Sequence, residues 1–206
     1  MLKLAHMQIP YLPKDYRLRM THTEREHVER LARTLRGKKI LHISAADTEG
    51  RAADCIRDLI SFEHQRGLQS FWRVLTVGAP FFSIAKKLYH ELHKLTEDEW
   101  RLYLEQSKDI AYAIAGIPTD VLVTHDLELM VAGCLADTHA KKIYSMHAPF
   151  SPNSRTYGPR LLSYQERYHV SFIDSASYEP VKCVEDAWLI SQNMLGYLEL
   201  YAHVLK

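Results

Sequence analysis

The stretch that decides the fold is Lys38-Lys39-Ile40-Leu41-His42-Ile43-Ser44, at residues 38–44. Two lysines lead into an apolar run of strand length, and a helical pattern follows that ends at Gly67. The apolar residues of this helix recur at positions 52, 53, 56, 59 and 60, the spacing of one helix face, and glycine commonly follows a helix end. A strand, a loop and a helix in this order are the repeating unit of an open α/β sheet.

The same alternation continues along the rest of the chain. Further strands are predicted at residues 71–77, 121–124, 142–146 and 170–173. Helices are predicted from a capping box at Thr23 and Glu26, from Pro80, from a second capping box at Thr96 and Glu99, and over residues 127–136 and 184–205. For residues 148–167 the pattern predicts only a looser segment, with no clear helix or strand. We therefore expect an α/β fold: a single Rossmann-like domain with a mostly parallel, doubly wound sheet flanked by helices.

Composition and charge exclude several classes of protein. Of the 206 residues, 26 are basic and 25 are acidic, for a formal net charge of +1, which argues against nucleic acid or a membrane surface as the main partner. The first residues lack the apolar run of a signal peptide. Three widely spaced cysteines, Cys55, Cys134 and Cys183, suit a reducing compartment. We expect a cytoplasmic protein with its cysteines buried.

Polar side chains lie at or near the ends of three of the predicted strands. His125 and Asp126 follow residues 121–124, His147 follows residues 142–146, and His42 lies within the first strand. Open α/β sheets bind ligands at the carboxyl ends of their strands, so these side chains form a polar pocket if the strands are neighbours. Two alternatives stay open: Asp126 caps the following helix, and His42 is a hydrogen-bonded core histidine.

The loop after the first strand is the usual place for a bound diphosphate. Such a site needs several glycines and exposed backbone amides, whereas residues 45–54 contain one glycine and three acidic residues. Arg51 offsets part of this negative charge. We keep Asp47, Glu49 and Arg51 as candidate first-loop residues, and we prefer the interpretation that the two acids cap the helix and complement its dipole.

Several motifs carry a resemblance to a known family. Residues 38–44, Phe71-Trp72-Arg73-Val74, Leu95-Thr96-Glu97-Asp98-Glu99-Trp100, Val123-Thr124-His125-Asp126 and Tyr164-Gln165-Glu166-Arg167-Tyr168 resemble, in order and spacing, the N-terminal domain of the trehalose synthase-type glycosyltransferases. The resemblance extends over nearly all of residues 20 to 180. It implies the N-terminal half of a GT-B fold, the half that supplies the acceptor-sugar side of the cleft.

The resemblance also implies a domain organisation and a set of sugar contacts. Residues 187–198 resemble the last helix of the family, so we expect a domain at residues 1–180 and a crossover helix at residues 181–206 that packs on it. The domain that binds the nucleotide-sugar is not recognisable between them, so no cofactor is expected unless a partner supplies that domain. The side chains implied to contact sugar hydroxyls are His125, Asp126, His147, Asn153, Arg155 and His42.

Three functions are compatible with these features. The preferred one is a non-catalytic module that binds a sugar or a protein, since the first loop is acidic and Ala148-Pro149 replace a polar pair of the family. The alternative is one subunit of a split retaining glycosyltransferase that transfers glucose from a nucleotide-sugar. The third is a metal-dependent hydrolase with His125, Asp126 and His147 as ligands. We expect a homodimer or a protein partner at the former interdomain face.

Overall fold

The computed structural model describes residues 3–7, 20–45, 51–76, 79–146, 154–173 and 184–206. In these ranges the strands are β1 (Lys3–Met7), β2 (Lys39–Ser44), β3 (Gln69–Thr76), β4 (Val121–His125), β5 (Lys141–Met146) and β6 (Val170–Ile173). The helices are α1 (His22–Leu35), α2 (Arg51–Gln65), α3 (Ala79–His90), α4 (Glu97–Ala115), α5 (Leu127–Leu135), α6 (Tyr157–Gln165) and α7 (Val184–Val204), and a short 3₁₀ helix spans Leu92–Lys94. The predicted α/β class is confirmed.

The six strands form one sheet in the order β1-β3-β2-β4-β5-β6. The strand β1 runs antiparallel to β3, and the other four pairings are parallel. The chain moves from β2 outward to β3 and then returns to the other side of β2 to form β4. The strand order therefore reverses between β2 and β4, and their carboxyl ends lie side by side. In open α/β sheets such a switch point is where ligands bind.

Helices cover both faces of this sheet. On one face Leu41 and Leu122 pack with buried residues of α3, α4, α5 and α6. On the opposite face Ile40 and Val121 pack with α1, α2 and α7. Neighbouring positions of each strand thus face opposite helix layers, as the two-residue period of a strand requires. The helix α7 contributes Leu198, fully buried, and contacts α1 and α2.

The predicted helix ends are mostly confirmed. Gly67, predicted to follow a helix, has a positive φ of 82° after α2. Gly37 after α1 likewise has a positive φ of 78°, and its amide donates to the Gly67 carbonyl over 2.9 Å. The capping box of Thr96 and Glu99 is present at the start of α4. The predictions hold at these positions because each depends on a local requirement. A helix end needs a residue in the αL conformation, and a helix start needs side chains that bond to its first backbone amides.

The predicted capping box of Thr23 and Glu26 is wrong. The helix α1 begins at His22, and the box consists of Thr21 and Glu24. The Thr21 hydroxyl accepts from the Glu24 amide over 3.3 Å, and the Glu24 carboxylate accepts from the Thr21 amide over 2.7 Å. The same spacing occurs twice in overlapping positions of the sequence, and the earlier box adds two residues to the helix.

Two elements were missed by the sequence pattern. The strand β1 has only five residues and lies at the edge of the sheet, where one side lacks a neighbour and the hydrophobic alternation is weak. The helix α6 falls in the segment predicted to be loose, because its Gly158-Pro159 pair is typical of a turn. Of the cysteines, Cys134 is buried as expected and Cys55 is only half-buried, while Cys183 lies outside the described residues. No helix in the described ranges has both the length and the apolar character to cross a bilayer.

Candidate functional site

The candidate site lies at the switch point, where Asp126 connects the ends of two strands. Asp126 directly follows β4, is 7% exposed and has a positive φ of 72°. Its Oδ2 accepts from the amide of Ala45, directly after β2, over 3.1 Å. Although Asp126 occupies the position before α5, its side chain accepts no hydrogen bond from that helix. The helix-cap interpretation is therefore wrong, and this carboxylate instead ties β2 to β4.

A chain of hydrogen bonds runs beneath this edge, among residues that are all fully buried. Nδ1 of His42 lies 3.0 Å from Nε2 of His125, and Nε2 of His42 lies 3.1 Å from Oε2 of Glu63. The hydroxyl of Tyr201 donates to Oε1 of Glu63 over 2.7 Å. Both ring nitrogens of His42 thus face protein groups, which favours the interpretation of His42 as a core histidine. We refer to Tyr201, Glu63, His42 and His125 as the buried relay.

A second carboxyl group lies beside Asp126 in the first turn of α5. The hydroxyl of Tyr89 donates to Oε2 of Glu128 over 2.9 Å and accepts from the Leu127 amide over 2.8 Å. Burial and the charge of Asp126 raise the pKa of Glu128 from its ordinary value of 4.5 to about 7, although the hydrogen bond from Tyr89 opposes this rise. Carboxyl groups whose pKa is raised toward neutrality by burial and a neighbouring charge are common at functional sites. Glu128 is not among the site residues predicted from the sequence, although its position two residues after Asp126 could have pointed to the same site.

Two neighbouring polar residues of β5, Tyr144 and Ser145, face opposite sides of the sheet. Ser145 points toward α7, where its Oγ lies 2.6 Å from the hydroxyl of Tyr197. Tyr144 points toward α5, and its buried hydroxyl has no hydrogen-bond partner among the described residues. Burial is the main cause that raises the pKa of Tyr144 far above its ordinary value, and Asp126 and Glu128 contribute to the rise. Tyr144 therefore remains a protonated donor near the two carboxyl groups.

Of the other predicted site residues, the described part of the chain places the side chain of Arg155 alone. Arg155 is exposed in the turn before α6. His147, Asn153, Asp47 and Glu49 lie outside the described residues, and Arg51 opens α2 with its side chain outside them. Within the described ranges no group of three His, Cys, Asp or Glu side chains is arranged to hold a metal ion. The three-ligand metal site stays a prediction, since it includes His147.

Comparison with known families decides where this domain belongs. The family model described as "Trehalose synthase, N-terminal domain" matches residues 42–180, about two thirds of the chain. The chain belongs to the trehalose synthase N-terminal domain family. The resemblance expected from the sequence is thereby confirmed, and the matched region contains the carboxyl end of β2, all of β4 and the switch point. It is a glycosyltransferase-like domain with the sheet of a Rossmann-like GT-B half.

Individual members of the trehalose synthase family show the same similarity at low identity. The chain is 29% identical to a trehalose synthase of Rubrobacter xylanophilus over 118 residues, 54% of this chain and 28% of that protein. It is 23% identical over 163 residues to a trehalose synthase of Pyrococcus horikoshii, 75% of this chain and 39% of that protein. A trehalose synthase of Thermococcus litoralis is 26% identical over 118 residues. The matches thus span between about a quarter and two fifths of the length of these relatives.

Proposed function

We propose that this domain binds a neutral, glucose-type sugar at the β2–β4 switch point and does not transfer a glycosyl group by itself. One observation carries the proposal: His125 and Asp126 lie at the switch point of a domain in the trehalose synthase N-terminal family. The relatives are named for the synthesis of a disaccharide of glucose. A glucose-type ligand is therefore the first class to test.

The charges at the switch point favour a neutral sugar over a phosphorylated one. Asp126 and Glu128 lie close enough for the charge of one to raise the pKa of the other, and a phosphate beside them would be repelled. Sugar hydroxyls both donate and accept hydrogen bonds, so they suit an ionised carboxylate and a protonated carboxyl group equally well. The buried Tyr144 hydroxyl adds a donor on the α5 side.

Transfer by this domain alone is disfavoured by its open geometry. The described elements build one sheet edge with helices on its two faces, which is one side of a cleft. Glycosyl transfer needs a site from which water is excluded and in which the leaving diphosphate is held. A nucleotide-sugar would thus have to be bound by a further domain, on this polypeptide or another.

Titration of the ¹⁵N-labelled protein with glucose and with trehalose tests the proposal by NMR. We expect saturable shifts of the amide signals of Ala45, Asp126 and Glu128. The variant Asp126→Asn removes the charge but keeps an oxygen for the Ala45 amide. Asp120→Asn is the matched control. Asp120 directly precedes β4 and accepts from the Lys39 amide over 2.8 Å, so it lies at the amino ends of the strands, away from the candidate site.

The two variants separate the outcomes. Sugar binding that is weakened by Asp126→Asn and unchanged by Asp120→Asn supports the proposed site. Binding that neither variant weakens would place the sugar elsewhere and refute the site. The sugars are added up to a concentration of about 50 mM, roughly 50-fold above a Kd of about 1 mM. If neither sugar shifts any signal over this range, sugar binding itself is refuted.

The alternative function is one half of an assembled glycosyltransferase, and the length of the relatives favours it. The chain matches only 28% and 39% of the trehalose synthases of Rubrobacter xylanophilus and Pyrococcus horikoshii, so their activity involves residues beyond the matched part. Native mass spectrometry of the protein captured from its source cells tests this function. Recovery with a chain that binds nucleotide-sugars, and glucosyl transfer by that complex, would support it. A homodimer or an unrelated protein partner would favour the binding module.

A further inference from the structure

We infer that Tyr89 of α3 is a positioning residue that keeps the Asp126 carboxylate turned toward β2 and the sugar instead of toward its own helix. The inference rests on the proposed function, since it concerns a carboxylate at the switch point. Two observations carry it. The backbone of Asp126 has a conformation that aspartate rarely adopts, and hydrogen bonds on either side of this residue join it to two different elements, β2 and α3.

The short connection between β4 and α5 explains the unusual backbone. The strand ends at His125 and the helix begins at Leu127, so the chain turns at Asp126 alone, whereas such connections usually have about 2–6 residues. At Asp126 φ is 72° and ψ is 143°. This combination lies outside the left-handed helical region and close to a region that is essentially restricted to glycine. Among the described residues other than glycine, Asp126 alone has a positive φ. The turn is therefore strained, and its surroundings must hold it.

Two hydrogen bonds hold this turn from opposite directions. The Asp126 carboxylate accepts from the Ala45 amide over 3.1 Å, and the Leu127 amide donates to the hydroxyl of Tyr89 over 2.8 Å. Both donors are backbone amides, which can only donate, so these directions depend on no charge state. The Tyr89 hydroxyl also lies 2.9 Å from Oε2 of Glu128. Tyr89 thus fastens the first turn of α5 to α3 at two points, while the side chain of Asp126 reaches toward β2.

Without the Tyr89 hydroxyl, a more ordinary conformation is open to Asp126. Aspartate directly before a helix usually has an extended backbone, and its side chain accepts from an amide of the first helical turn. Asp126 occupies this position but makes no such hydrogen bond. Once the Leu127 amide loses its acceptor, the first amides of α5 favour rotation of Asp126 into the capping conformation. The carboxylate then leaves the Ala45 amide and the sugar side of the site.

Thermal denaturation of two pairs of variants measures the strain. Alanine is strained at a positive φ and glycine is not, so Asp126→Gly should melt about 2–6 °C above Asp126→Ala. Asp120 is the matched position, because it directly precedes β4 and also accepts from a backbone amide. Its φ is negative, so Asp120→Ala should melt above Asp120→Gly. The same order of glycine and alanine at both positions would overturn the inference.

NMR of the variant Tyr89→Phe tests whether Tyr89 holds the turn. A positive φ brings the amide proton and the Hα of a residue close together, so Asp126 of the wild type should show a strong NOE between them. The Ala45 amide should exchange slowly with solvent. In Tyr89→Phe we expect both signs to be lost. Glucose should bind about fivefold more weakly, the loss that corresponds to one hydrogen bond.

The control is Tyr168→Phe, which removes another buried hydroxyl that donates to the backbone of α5. It should lower the melting temperature and leave both the Asp126 NOE and the glucose affinity unchanged. A weak NOE in the wild type, an unchanged NOE in Tyr89→Phe, or an equal loss of glucose binding in Tyr168→Phe overturns the inference. Rotation of Asp126 without any loss of glucose affinity overturns its link to the sugar.

Two further outcomes separate this inference from the proposed function and from a folding defect. If the wild type binds no glucose while the Asp126 NOE behaves as expected, the proposed function fails and the positioning by Tyr89 stands. If Tyr89→Phe does not fold, the same substitution combined with Asp126→Gly should fold, because glycine adopts the turn without strain. A double variant that also stays unfolded overturns the inference.

Discussion

A Cβ atom at Gly133 would lie 2.5 Å from the hydroxyl of Tyr168. It would lie closer still to Oγ1 of Thr124, so α5 rests directly on β4 at this point. The Tyr168 hydroxyl donates to the Met130 carbonyl over 2.6 Å and also contacts Oγ1 of Thr124 at 3.2 Å. The first turn of α5, which carries Glu128 at the candidate site, therefore depends on a glycine one helix turn further on.

Substitution of Gly133 by alanine should lower the free energy of unfolding by about 1–3 kcal/mol, the usual cost of overfilling a packed core. Urea denaturation followed by circular dichroism measures this change. Gly196→Ala in α7 is the control, because nothing lies within 4 Å of its added Cβ, and alanine should stabilise that helix by up to about 1 kcal/mol. Equal effects of the two substitutions would contradict the close packing of α5 on β4.

The start of α1 can be tested with two threonines that are two residues apart. Thr21→Ala should destabilise the protein by about 1 kcal/mol, because it removes the oxygen that accepts from the Glu24 amide. Thr23→Ala should change stability by less than about 0.5 kcal/mol, as is usual for an exposed helix position. Thermal denaturation of both variants distinguishes the two capping boxes, and a larger loss for Thr23→Ala would restore the box at Thr23 and Glu26.

The raised pKa of Glu128 predicts a pH-dependent stability. Between pH 4.5 and about 7 the folded state keeps a proton that the unfolded state has released, so the free energy of unfolding contributed by this group falls as the pH rises. Glu128→Gln keeps an acceptor for Tyr89 and carries no charge. Relative to the wild type, it should be more stable by roughly 2–3 kcal/mol at pH 8, since one pKa unit corresponds to about 1.4 kcal/mol, and nearly equal at pH 4.5.

Urea denaturation at the two pH values measures this difference. The substitution Glu166→Gln, at an exposed residue after α6, serves as the control and should show no such dependence on pH. A gain for Glu128→Gln of the same size at both pH values would mean that the carboxyl group does not keep its proton in the folded state.

Two neighbouring lysines on β5, Lys141 and Lys142, should differ in how much their substitution lowers the free energy of unfolding. The ammonium group of Lys142 donates to the carbonyls of Cys134 and Ala136, each over 2.7 Å, and so satisfies the end of α5. Burial lowers its pKa. Lys142→Met should cost about 1–3 kcal/mol, because it leaves these carbonyls without their donor, whereas Lys141→Met should stay within about 0.5 kcal/mol. Chemical denaturation of both variants checks the contrast.

The part of the site that the sequence could predict is the part encoded locally. His125 and Asp126 follow an apolar run of strand length, and this pattern alone placed them at a sheet edge. Glu63 could not be found in this way, since it lies near the end of α2 and its partners are 21 and 138 residues away. A charged residue near a helix end normally predicts a solvent-exposed side chain.

The fold, like the site, was predictable from the sequence only where its elements have a strong local pattern. The parallel strands β2 and β4 are buried on both faces and are rich in apolar residues, so they were recognised. The edge strand β1 and the helix α6 are held by contacts with distant elements and have weak local patterns. The choice between Thr21 and Thr23 also depends on context, because both fit the same four-residue rule.

The hydrogen bond between Tyr201 and Glu63 also sets an order of events during synthesis on the ribosome. At translation rates of about 5–20 residues per second, Tyr201 is added on the order of ten seconds after Glu63, from which it is separated by 138 residues. In that interval the nascent chain has made all six strands, but the apolar face that α7 covers is bare. The carboxylate of Glu63 also lacks the hydrogen bond that Tyr201 donates. The growing polypeptide thus exposes this apolar surface to solvent until α7 emerges from the exit tunnel.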